Sequence, residues 1–173
     1  MFRLLVFVGL MMSTAVSADE IRGRVLLDDG DTPLFQVRLF GVDTPEKKQL
    51  CKNAQGECYA CGAEATQFVA DLLGYRVGSR YLSKEELRCE FVPGQYTYGR
   101  MVGVCYHGDD SLNVSIVRAG WGIAYRRYLD QVPALKQSFI KAEDEARAAK
   151  RGIWQGEFVE PSKWRRGGRL GCE

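Results

Sequence analysis

The chain has 173 residues, and its 24 lysines and arginines nearly balance 22 aspartates and glutamates, giving a formal net charge of +2. This length fits a single domain with a sizeable core, and no internal repeat or low-complexity linker indicates a second one. A net charge this small does not by itself indicate a nucleic-acid-binding protein.

The first 18 residues have the pattern of a secretory signal peptide. Arg3 gives a positive start, residues 4–12 are largely apolar, and residues 16–18 (VSA) form a small-residue cleavage signal. The apolar run is short of the ~20 residues that a spanning helix needs, although an uncleaved membrane anchor is the alternative. We therefore expect cleavage after residue 18, leaving residues 19–173 as one exported domain, periplasmic or secreted, that is not bound to a membrane.

Hydrophobic periodicity predicts strands first and helices interspersed later. No alternation of parallel strands with crossover helices is visible, so we predict the α+β class, with a small barrel as the best candidate for the sheet. Glycines and Pro133 provide the helix boundaries. The expected strands are 21–27, 34–40, 75–82, 87–92 and 101–106, with a turn at 28–31 and a polar loop at 47–62, and the expected helices are 65–73, 112–119 and 133–151.

All six cysteines lie after the predicted cleavage site, and an even count in an exported chain indicates disulfides. If the strands 87–92 and 101–106 form a hairpin, Cys89 lies opposite Cys105, at a Cα separation of about 4.5–5.5 Å that a disulfide accepts. The remaining four cysteines allow three connectivities. A zinc site or a redox-active pair at the Cys58-Tyr-Ala-Cys61 motif is a weaker alternative.

Two short segments carry the chemistry. Residues 38–46 (RLFGVDTPE) place one arginine and two carboxylates on a strand-to-turn segment, and Tyr98-Gly99-Arg100 adds a second arginine from a separate hairpin. Carboxylates bind a hard cation, guanidinium groups neutralise phosphate oxygens, and a carboxylate can take a proton from water. The combination suits hydrolysis of a phosphodiester, although a capped turn with structural carboxylates is the simpler interpretation of residues 43–46 alone.

The order and spacing of these motifs resemble the staphylococcal nuclease (thermonuclease) family, and most closely its exported bacterial branch, over about residues 21–166. The resemblance implies an OB-fold barrel of five strands with three helices. It also implies calcium-dependent hydrolysis of DNA and/or RNA by an endonuclease, here expected to act as a monomer. The matching segments are Asp29-Gly30-Asp31-Thr32, 38–46, Cys61-Gly62, Tyr98-Gly99-Arg100, 113–122, 124–128 (AYRRY), 146–154 and Trp164-Arg165.

The resemblance also implies a role for each matching residue. Asp43, the backbone carbonyl of Thr44 and Asp31 would bind Ca²⁺, which takes several oxygen ligands. Glu46 would position or deprotonate the attacking water. The remaining residues would contact the nucleic acid: Arg38 and Arg100 as donors to phosphate oxygens, and Tyr98, Tyr125 and Tyr128 as stacking platforms or phosphate contacts, with packing as the alternative role for the last two.

One departure from the family pattern concerns the second calcium ligand. Asp31 and Arg38 are only seven positions apart, which is too short for two paired strands and a turn. Either the hairpin is trimmed and Asp31 still reaches the metal, or residues 28–31 are themselves the hairpin turn. In the second case the usual metal-binding aspartate is missing, or Asp28 substitutes for it.

Two classes of function therefore stay open. The first is an exported, metal-dependent nuclease. The second is a catalytically impaired OB-fold module that binds nucleic acid or another partner. Clustered basic residues fit either class, since Arg126 and Arg127 are adjacent and the tail from about residue 157 is basic. This tail is alternatively a solvated, disordered end.

Overall fold

The computed structural model describes residues 25–27, 33–78 and 83–172, and the predicted signal peptide lies outside these ranges. Within them the chain forms ten strands of two to ten residues, three α-helices of about two turns or more, one single-turn α-helix, and 3₁₀ helices at Arg126–Gln131 and Gly152–Gln155. The strands are β1 (Val25–Leu27), β2 (Pro33–Phe35), β3 (Val37–Leu39), β4 (Val42–Asp43), β5 (Cys51–Lys52), β6 (Cys58–Tyr59), β7 (Arg88–Thr97), β8 (Arg100–His107), β9 (Asp110–Ser111) and β10 (Ile123–Ala124); the helices are α1 (Cys61–Leu72), α2 (Leu112–Arg118), α3 (Pro133–Ala148) and α4 (Pro161–Trp164).

The largest sheet has the order β3-β8-β7, with β9 paired to β8. Strand β3 runs parallel to β8, with Arg38 opposite Val102, whereas β7 and β8 form an antiparallel hairpin. The other strands pair as β1-β2, β4-β10 and β5-β6, and the pairing among the described residues does not close a barrel. The predicted α+β class is confirmed, but the closed five-stranded OB-fold barrel is not.

The predicted strand at 75–82 is wrong over its described part. Residues 75–78 follow α1 as a turn, and residues 79–82 lie outside the described ranges. Gly74 adopts a φ of 56°, and the amide of Tyr75 donates to the carbonyl of Ala70 at 2.8 Å. This is the hydrogen bond of a Schellman cap, so the first residues of the expected strand instead terminate the helix.

The core lies between the large sheet and helices α2 and α3, and the buried Asn113 joins these layers. Its side-chain amide donates to the carbonyls of Phe40 at 2.8 Å and Gly103 at 3.1 Å, and its carbonyl accepts the amide of Cys105 at 2.9 Å. A buried amide with three partners fixes the end of β3 against β8. The segment that follows β3 therefore leaves the sheet from a rigid position.

All six cysteines form disulfides, and Cys58 and Cys61 bond to different partners, so the structure contradicts the zinc site and the redox-active pair. Cys89 and Cys105 are cross-strand partners in the β7–β8 hairpin and are bonded, as the hairpin argument predicted. The remaining connectivity is Cys51–Cys61 and Cys58–Cys172.

The Cys58–Cys172 bond spans 114 positions and attaches the C-terminal tail to the β5–β6 hairpin. The tail is therefore ordered and packed, which corrects the alternative of a disordered end. No helix among the described residues has both the length and the apolar character needed to cross a bilayer.

Candidate functional site

The site begins where the chain leaves β3. Gly41 has a φ of 72°, and a Cβ atom on it would lie 2.9 Å from the Phe139 ring, so the turn requires a glycine. The amide of Tyr125 donates to the Gly41 carbonyl at 2.8 Å, and β10 then pairs with β4 so that Ile123 lies opposite Asp43. This local geometry brings Tyr125 beside the turn and fixes Asp43, whose side chain is only 2% exposed.

A second turn positions Glu46. Its amide donates to Gln49 Oε1 at 3.1 Å, and its carbonyl accepts the Gln49 amide at 2.7 Å. Gln49 is fully buried, and its Nε2 donates to the carbonyl of Val159 at 2.6 Å. Gln49 is therefore a positioning residue that the sequence did not reveal, because an isolated glutamine in a polar loop gives no periodic or motif signal.

The predicted arginines and Glu46 line one open cleft. This cleft has a volume of about 530 Å³, and Tyr98, Tyr125 and Tyr128 lie along it as well. Arg38 reaches Asp43 from the cleft, with 3.9 Å between Nη2 and Oδ1. Arg100 is anchored by a weak 3.4 Å hydrogen bond from its Nε to the carbonyl of Thr97. The two segments separated in sequence thus meet in space, as the phosphodiester interpretation requires.

A residue from the tail occupies the centre of this arrangement. Arg165 Nη1 and Nη2 donate to the two carboxylate oxygens of Asp43 at 2.9 Å each, and Nη1 also donates to Glu46 Oε1 at 2.8 Å. Hydrogen bonding to Asp43 raises the pKa of Arg165 well above its ordinary value, partial burial opposes this, and Glu46 adds to the rise. The sequence matched Arg165 to a family motif but gave no indication of this contact.

The two carboxylates therefore converge on one cationic position, which suits a hard metal ion as well as a guanidinium. Among the described residues, no group of three or more His, Cys, Asp or Glu could hold a metal. Asp31 and Asp28 lie outside the described ranges, so the third carboxylate stays a prediction. β1 and β2 pair antiparallel with Leu27 opposite Pro33, and the predicted turn at 28–31 lies outside the described residues.

Thr44 lies next to Asp43, and it also lines a neighbouring apolar cleft formed with α1. Its predicted role uses the backbone carbonyl, and that role stays a prediction.

The tyrosines form an exposed aromatic edge of the cleft. Tyr98 is 89% exposed, and the Tyr125 and Tyr128 rings lie 5.1 Å apart. The Arg127 guanidinium lies 4.8 Å and 4.6 Å from the centres of these two rings and donates to the Tyr125 hydroxyl at 3.1 Å. Such a group of aromatic rings and a cation suits unpaired bases and phosphates.

Arg126 faces the other way from its neighbour in sequence. Its Nε and Nη2 donate to Oε2 of the buried Glu143 at 2.9 Å and 2.7 Å, and Glu143 Oε1 accepts the amide of Ala124 at 2.9 Å. These hydrogen bonds raise the pKa of Arg126 above its ordinary value. The predicted basic pair thus divides into a structural arginine and a cleft arginine.

Comparison with known proteins agrees with this geometry. The profile of the family described as "Staphylococcal nuclease homologue" matches residues 36–156. An "Uncharacterized endonuclease" of Escherichia coli O157:H7 is 32% identical over 90% of this chain and 92% of its own length. An "Uncharacterized endonuclease" of Haemophilus influenzae is 28% identical over 88% and 78%, and the "Succinoglycan biosynthesis protein ExoI" of Rhizobium meliloti is 30% identical over 86% and 72%.

The chain thus combines an α+β scaffold and a charged cleft with a match to a nuclease family. The chain belongs to the staphylococcal nuclease family.

Proposed function

We propose that this protein is an exported, calcium-dependent endonuclease that hydrolyses phosphodiester bonds of DNA and/or RNA. The observation that carries the proposal is the convergence of Asp43 and Glu46 on one cationic position beside a cleft lined by Arg38 and Arg100. The relatives named as endonucleases support a nucleic-acid substrate.

Ca²⁺ would be held by Asp43, the Thr44 carbonyl and Asp31 or Asp28, and when bound it would supply a Lewis acid for a phosphate oxygen. Glu46, fixed by Gln49, positions the attacking water and accepts its proton. The water oxygen bonds to phosphorus, one ester P–O bond breaks, and the leaving oxygen takes the bonding electron pair and a proton from solvent. Arg38 and Arg100 donate hydrogen bonds to the phosphate oxygens as negative charge increases.

The aromatic edge supplies binding without sequence preference. Stacking of a base on Tyr98, Tyr125 or Tyr128 is typically worth about 1–3 kcal/mol and is similar for all bases. Because stacking of this kind needs unpaired bases, single-stranded substrates are expected to be cut faster than duplexes.

The test is digestion of plasmid DNA, single-stranded DNA and a synthetic RNA by the mature protein in millimolar Ca²⁺, with a chelator control. We expect cleavage that the chelator abolishes. If all three substrates remain intact in Ca²⁺ and in other divalent ions, the proposed nuclease activity is excluded.

A non-catalytic binding module is the second candidate, and one observation favours it. Arg165 already neutralises both Asp43 and Glu46, so the described residues form a self-sufficient ion-paired cluster. Binding of the same substrates without cleavage, measured by fluorescence anisotropy in Ca²⁺, would support this candidate.

A further inference from the structure

The C-terminal segment, residues 157–172, is attached to the rest of the site at several points. The backbone of Glu157 pairs with that of Lys52 through hydrogen bonds of 2.8 Å and 3.1 Å. Gln49, which also holds Glu46, donates to the carbonyl of Val159. The Cys58–Cys172 disulfide closes the far end. The segment is thus held at both ends, with α4 and Arg165 between them.

Arg165 contacts the two carboxylates in the way that a bound cation would. It engages both oxygens of Asp43 and one oxygen of Glu46, at 2.8–2.9 Å. Asp43 is one of the groups proposed to bind Ca²⁺, and it is 2% exposed, so the described contacts leave little room for a second approach. A guanidinium and a divalent cation bear the same sign of charge and compete for the same oxygens. The two states are therefore mutually exclusive at Asp43.

We propose that the C-terminal segment is a built-in competitor of the divalent cation, in which Arg165 occupies the metal position and must withdraw before the metal binds. This inference rests on the proposed calcium site. Arg165 is 35% exposed and lies beside the open cleft, so the side chain can swing outward without unfolding of the domain. Arg38, 3.9 Å from Asp43, remains as a cationic neighbour when Arg165 leaves.

The tether sets the strength of the competition. The segment is held in place by a disulfide and by backbone hydrogen bonds. The guanidinium therefore competes with the metal at a high effective concentration that does not depend on the protein concentration. The apparent association constant for the metal is then the intrinsic constant multiplied by the fraction of molecules in which Arg165 is withdrawn. If that fraction is about one tenth or less, removal of the guanidinium tightens calcium binding about tenfold or more.

The test is isothermal titration of the mature, oxidised protein with Ca²⁺, comparing the parent with Arg165→Gln. Arg166→Gln is the matched control, because Arg166 is adjacent and exposed and carries the same charge. We expect Arg165→Gln to bind Ca²⁺ at least about tenfold more tightly and Arg166→Gln to match the parent. Equal or weaker binding by Arg165→Gln, with clear binding by the parent, overturns the competitor and leaves the proposed function intact. Absence of calcium binding in the parent and in Arg165→Gln overturns both.

A second variant tests the proposal independently, in case Arg165→Gln does not fold. Replacing Cys58 and Cys172 by serine keeps Arg165 but releases the end of the segment, and near-ultraviolet circular dichroism verifies the fold. We expect tighter calcium binding and a larger calcium-induced rise in Tm than in the parent. A calcium response equal to that of the parent in this variant contradicts the role of the tether.

Discussion

Gly62 lies so close to Glu46 that a Cβ atom on the glycine would stand 1.8 Å from the Glu46 carbonyl oxygen. The start of helix α1 therefore packs directly against the turn that carries the proposed general base. This contact gives a physical reason for the Cys61-Gly62 pair that begins the helix: only a residue without a side chain allows the approach.

We expect Gly62→Ala to displace the turn. The cost is expected to be about 3 kcal/mol of unfolding free energy or more, because the clash is with backbone that cannot rotate away. A shift of Glu46 by about 1 Å should also lower kcat about 100-fold. Urea unfolding and single-turnover cleavage measure the two effects. Ala63→Ser, at an exposed position on the same helix, is the control and should change neither.

The two cleft arginines provide a second prediction. Arg38→Ala and Arg100→Ala should each lower kcat by a factor of ~100–1,000, because each removes a preorganised donor to the phosphate. Arg88→Ala is the control. Arg88 is solvent-exposed and lies on the β7–β8 hairpin that also carries Arg100, and its replacement should leave kcat unchanged. Cleavage rates of a labelled oligonucleotide test this. Equal losses in all three variants would point to general destabilisation instead of a role in the reaction.

Arg126 and Arg127 are adjacent but should respond in opposite ways. Arg126→Ala removes a partner of the buried Glu143 and should cost about 1–3 kcal/mol of unfolding free energy, moderated by Arg147 at 3.4 Å. Arg127→Ala should instead weaken binding of single-stranded DNA by roughly fivefold, about 1 kcal/mol, with little effect on stability. Chemical denaturation and fluorescence anisotropy on both variants separate the two roles. Identical behaviour of the pair would refute this division.

The disulfide pairing can be tested by mass spectrometry and by its effect on stability. Intact-mass analysis of the protein purified without reductant should show a mass two hydrogens lower for each of the three bonds than after reduction. Opening Cys89–Cys105 should lower stability by about 3 kcal/mol at most, because the bond closes a short loop. Six free thiols in the protein purified without reductant would contradict the pairing.

The sequence predicted features that depend on neighbours along the chain. The Cys89–Cys105 bond followed from the symmetry of one hairpin, and the segment 38–46 contains four predicted site residues within nine positions. The partnership of Arg165 with Asp43 spans 122 positions and left no pattern in the sequence. The role of Gln49 likewise depends on a contact with Val159, 110 positions away.

The predictions that the structure does not confirm also have physical explanations. Residues 75–82 have an apolar content typical of a strand, but Gly74 and Tyr75 form the helix cap and carry the chain into a turn. A small barrel was predicted from the order of the elements, and its OB-fold form from the family resemblance. It is unconfirmed, because barrel closure depends on long-range strand pairing that local periodicity does not encode.

The most direct test of the account is the cleavage rate of a short single-stranded oligonucleotide at saturating Ca²⁺ by the parent and by Glu46→Gln, purified in parallel. The variant keeps the size of the side chain and one acceptor oxygen, but its amide cannot act as a base. We predict a loss of kcat of about 100-fold or more, with oligonucleotide affinity unchanged. A kcat within about twofold of the parent would mean that cleavage does not depend on this site.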